Sequence, residues 1–81
     1  MKWKSLLPEL PVVSGRDARR GFERLGWIFR RQAGSHMILT KEGSIVSLSI
    51  PDHRELAPGT LRKLIRLANV AVDDFREALN A

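Results

Sequence analysis

Eighty-one residues, 43% apolar and 28% charged, predict one small globular domain over residues 1–81 with a single core. The chain has no cysteine and no tyrosine, which excludes disulfides, thiolate metal sites, thiol catalysis and phenol chemistry. Net charge is +5, and the whole excess precedes Gln32: eight basic residues meet three acids up to Arg31, and six meet six beyond it.

Residues 1–13 are expected to be irregular, because Pro8 and Pro11 preclude a continuous helix. The apolar stretch there is too short for a signal peptide, and no run is long enough for a membrane span, so a cytoplasmic location is expected. Ser14-Gly15-Arg16-Asp17 then reads as a helix start, with a hydroxyl cap and a carboxylate near the positive end of the helix dipole. Ala18, Phe22 and Leu25 form its apolar stripe, and Gly26 its stop. Past Gly26 the period changes. Residues 27–32 read as a strand, 33–35 as a turn, and 36–41 as a second strand. Glu42-Gly43 is a tight turn before a third strand over 44–50, where Val46, Leu48 and Ile50 alternate inward. Pro51 is expected to end the sheet, and residues 52–57 to form a polar loop. Pro58 suits a helix first turn, Leu61, Leu64, Ile65 and Ala68 supply an apolar face, and Asn69 a stop. A last short helix is expected from near Val72, with Val72, Phe75 and Leu79 facing inward. The order α-β-β-β-α, plus a small C-terminal helix, predicts an α+β domain: a three-stranded antiparallel sheet with its helices on one face.

Five segments carry a resemblance to a known family. Leu10-Pro11-Val12-Val13-Ser14-Gly15, Leu25-Gly26-Trp27, Gly34-Ser35-His36, Ile50-Pro51 and Pro58-Gly59-Thr60-Leu61 resemble, in order and spacing, the HicA toxins of type II toxin–antitoxin pairs. The resemblance runs from about residue 10 to residue 79. It implies a fold like the double-stranded-RNA-binding domain and the activity of an mRNA interferase, a ribonuclease that needs no metal or other cofactor. It further implies that the essential histidine is the one in Gly-Ser-His, here His36, and that a HicB-type antitoxin neutralises the protein. Many relatives carry a second histidine directly after the first; this chain has Met37.

The residues themselves fit that chemistry. Imidazole titrates near neutrality, and RNA carries its own nucleophile, the 2′-OH, next to the scissile phosphate, so a positioned base suffices. Gly34 and Ser35 precede His36 at a turn where backbone N–H groups can approach a phosphate. The plain alternative for these three residues is a hairpin turn followed by a surface histidine. Arg30, Arg31 and Lys41 flank the turn as candidate RNA contacts, and strict alternation predicts that Arg30 and Arg31 point to opposite faces. Gly59 and Thr60, at a helix N-terminus, together with Arg62 and Lys63 beyond them, are further candidates for RNA phosphates. His53 is a candidate second acid, base or substrate contact. No metal-ligand spacing links it to His36. Arg16, Arg20 and Arg24 stack like charges along the first helix, relieved in part by pairing of Asp17 and Glu23 with Arg20, and suggest an anionic partner such as RNA or an acidic antitoxin surface. A non-catalytic RNA-binding module of the same fold is the alternative reading, although a pure binder has no need of an imidazole at that turn.

Overall fold

Ser14 caps the first helix, α1 (Gly15–Arg24), by accepting a 3.0 Å hydrogen bond from the Asp17 amide on its side-chain oxygen. In the computed structural model, which describes residues 10–81, the elements that follow are β1 (Ile28–Ala33), β2 (His36–Thr40), β3 (Leu48–Pro51), α2 (Pro58–Ala68) and α3 (Val72–Leu79). Residues 10–14 precede α1 without regular structure; the rest of the expected irregular segment lies outside the described residues. The strands form an antiparallel sheet in the order β1-β2-β3, with β2 in the centre. The element order and the open three-stranded sheet are those of the double-stranded-RNA-binding type of α+β fold, with α3 as a small C-terminal addition.

The helices lie against one face of the sheet. Met37, Leu39, Leu48 and Ile50 point into that layer and are essentially inaccessible, as are Ala18 and Phe22 of α1 and Leu61, Leu64, Ile65 and Ala68 of α2. Trp27 joins this core just ahead of β1, so the strand starts one residue later than its aromatic run suggested. The third helix packs on α1 rather than on the sheet, through Phe75 against Phe22 with ring centroids 4.7 Å apart. The expected helix stops hold: Gly26 has φ +103° and Asn69 takes the left-handed conformation at φ 58°.

The expected bounds of the third strand need correction. The third strand spans only Leu48–Pro51, not residues 44–50. The Ser44 hydroxyl accepts from the Val46 amide and donates to the Val46 carbonyl, both at 3.2 Å, which gives that backbone a partner other than a neighbouring strand. Ile45 is left fully exposed as a result. Pro51 ends the sheet as expected, from within it: it is the last residue of β3 and pairs with His36, and an edge position spares it the ladder amide it lacks.

Candidate active site

Ala33 and His36 face each other across β1 and β2, so Gly34 and Ser35 alone form the hairpin turn. Gly34 has φ +61° and Ser35 does not have positive φ, the φ pattern of a type II′ turn whose first position favours glycine. The turn is pinned from two sides. The Gln32 side-chain amide donates to the Gly34 carbonyl at 3.2 Å, and the Asp52 amide donates to the Ser35 carbonyl at 2.8 Å.

Asp52 also ties this end of the sheet to α1. Arg16 donates to its carboxylate from Nε at 3.2 Å and from Nη2 at 3.5 Å, and the Gly15 amide donates to the His53 carbonyl at 2.8 Å. The approach is so close that a Cβ at Gly15 would stand 1.9 Å from the Pro51 carbonyl oxygen. Residues 51–53 therefore form a strap clamped between the His36 turn and the start of α1. Sequence reasoning took Gly15 as part of a helix start and passed over Asp52. Gly15 reaches His53, and Asp52 reaches Arg16, across 36 or more residues, and no local pattern carries that information.

Because Met37 and Leu39 point into the core, His36, Ile38 and Thr40 point to the opposite face of the sheet, which no described element covers. His36 is exposed, and its imidazole has no hydrogen-bond or ionic partner among the described residues. Cross-strand register adds Ala33, Arg31 and Ile28 from β1 and Ser49 and Pro51 from β3 to the same face. Alternation does not separate the two arginines as expected. The register passes from Phe29↔Leu39 to Arg31↔Ile38, leaving Arg30 as the extra residue of a β-bulge. Arg30 Nε donates to the Thr40 hydroxyl at 2.7 Å, so Arg30 and Arg31 share the His36 face. No Asp or Glu stands among the described residues paired there.

The other candidates lie elsewhere. Lys41 follows the far end of β2, its side chain passing beside Gly26. Gly59, Thr60, Arg62 and Lys63 belong to α2 in the helical layer, and none is brought to the open face. His53 is exposed on the strap, two residues past Pro51, and no hydrogen bond joins it to His36. The α1 arginines have partners inside the molecule. Arg16 holds Asp52, Arg20 holds Asp17, and Arg24 Nη1 donates to the Ala78 carbonyl at 2.7 Å and the Leu79 carbonyl at 3.4 Å. Glu23 pairs with Arg19 at 3.4 Å, not with Arg20, and the Arg19 guanidinium lies 3.7 Å from the Phe29 ring centroid.

Residues 15–70, which hold the strap, the turn and the sheet, match the family model described as HicA toxin of bacterial toxin–antitoxin. The chain belongs to the HicA toxin family. It is thus the toxin of a toxin–antitoxin pair and has a cognate antitoxin as partner, in a family whose members are generally of the ribonuclease type. No curated protein matches the chain. Among the described residues of this HicA toxin, no helix is long and apolar enough to cross a membrane.

Proposed function

We propose that this HicA toxin is a metal-independent endoribonuclease that cleaves mRNA with His36 as general base and is held inactive by a HicB-type antitoxin. One observation carries the reading: an exposed imidazole, without a partner among the described residues, on the sheet face opposite the helices and at a turn pinned on both sides. His36 takes the proton of the 2′-OH, and the 2′-oxygen attacks the adjacent phosphorus. The bond to the 5′-oxygen breaks, and that oxygen takes up a proton from solvent. The products are a 2′,3′-cyclic phosphate and a 5′-OH end. Gly34 and Ser35 bring backbone to the reacting phosphate, and the chemistry needs neither a protein nucleophile nor a Lewis acid. A positioned base contributes about 10²–10⁴-fold to such a reaction.

The test is cleavage of RNA by purified toxin in EDTA, wild type against His36→Ala. Cleavage by the wild type alone, leaving cyclic phosphate ends, is expected. Equal cleavage by both would remove His36 from the chemistry. No cleavage by either, with salt-sensitive RNA binding intact, would make the domain a non-catalytic binding module.

A further inference from the structure

We propose that the open face of the sheet is a track for the backbone of single-stranded RNA, along which Arg31 and Arg30 hold the phosphates next to the one that His36 attacks. The inference deepens the ribonuclease reading and rests on it. Its geometric basis is the bulge. A regular β1 would present only one of two consecutive residues to this face; the extra residue at Arg30 turns both guanidiniums to it. Arg31 pairs with Ile38, which makes it the diagonal neighbour of His36, about 7–8 Å away across the ladder and within reach of a long side chain. Arg30 is anchored further along by Thr40, four residues from His36, about 13 Å at the rise of a strand. An imidazole and two guanidiniums thus run in a row along β1 and β2.

The charge distribution points the same way. The excess positive charge of the chain lies in its first half, and the described part of it falls on α1 and β1. On α1, Arg16, Arg19, Arg20 and Arg24 are all engaged by carboxylates or carbonyls of the protein. On β1, Arg31 has no partner among the described residues, and Arg30 uses only Nε, on a neutral hydroxyl. Two adjacent like charges on a face without acids repel one another unless an anion comes from outside, and guanidinium suits the paired oxygens of a phosphate. A charged bulge on an edge strand also guards against strand-to-strand association. The experiment separates that role from RNA binding.

In a His36→Ala background, which binds without cutting, a short labelled single-stranded oligoribonucleotide is titrated at several salt concentrations. The slope of log affinity against log salt is expected to shrink by about 0.7 for each phosphate contact removed, in Arg31→Ala and again in Arg30→Ala. Arg31→Lys, which keeps the charge, restores most of that slope. Arg76→Ala, which removes the same charge from α3, leaves it at the parent value. Circular dichroism melts establish that each variant is folded. Parent slopes in both β1 variants, with or without new self-association, would overturn the track. The ribonuclease reading is judged separately, by wild-type cleavage in EDTA. A toxin that cleaves while both slopes stay at the parent value keeps its activity and loses the track, and failure of the parent to bind RNA overturns the track as well.

Discussion

His36 and His53 are both exposed imidazoles, and the backbone beneath them sets them apart. His36 stands on the central strand with a partner on each side, whereas His53 follows the last strand residue and engages α1 only through its carbonyl. A general base must be held in place, and only His36 sits on a ladder that does this. His36→Gln is therefore expected to lower single-turnover cleavage by about 10²–10⁴-fold, and His53→Gln by no more than about tenfold. A loss at His53 equal to that at His36 would put the leaving-group acid on His53. Arg24 invites a different expectation. Although it belongs to a surface row of arginines, it caps the end of α3, so Arg24→Ala should cost about 1 kcal/mol in a thermal melt. Cleavage below the melting transition should be unchanged.

The elements divide by how local their determinants are. Helix boundaries were legible because caps act within a turn: the Ser14 hydroxyl, Gly26 and Asn69 all do what their residue types predict. The turn before His36 was legible for the same reason, since Gly34 supplies the positive φ the hairpin requires. The start of β3 was not, because Val46 keeps the alternating pattern while a serine hydroxyl takes its backbone out of the ladder. Nor was the bulge: period-two reasoning assumes a regular strand, and only pairing with β2 reveals the extra residue. The seam between α1 and the strap is equally long-range. Gly15→Ala should test it hard, because the added methyl would collide with the Pro51 carbonyl; a loss of about 1–3 kcal/mol is expected. Gly34→Ala meets open space and only the left-handed backbone penalty, about 1–2 kcal/mol. Urea melts of the two variants should rank them in that order.

Across the whole molecule, the packed core and the proposed chemistry fall on opposite sides of one sheet. The helical layer supplies the core and absorbs the arginines of α1, and no described helix covers the other side. That division bears on the antitoxin. Of the α1 row, Arg24 is committed to α3, whereas Arg20 is exposed and paired only with a neighbour three residues away. If an acidic antitoxin surface docks on α1, Arg20→Glu should weaken the complex at least about tenfold by calorimetry. An unchanged Kd takes that helix out of the interface.

The bulge also carries information about how such a strand can change length. Arg30 is the only residue of β1 that the ladder skips, and the pairs on either side of it, Phe29 with Leu39 and Arg31 with Ile38, are adjacent rungs on β2. Deleting Arg30 closes the strand onto a regular ladder and leaves every other residue on its present face. Deleting a neighbour instead breaks a rung, and restoring the pairing moves Arg30 into the vacant place and abolishes the bulge. Arg30 is thus a removable insertion, and the sheet reads the same with or without it, one guanidinium apart.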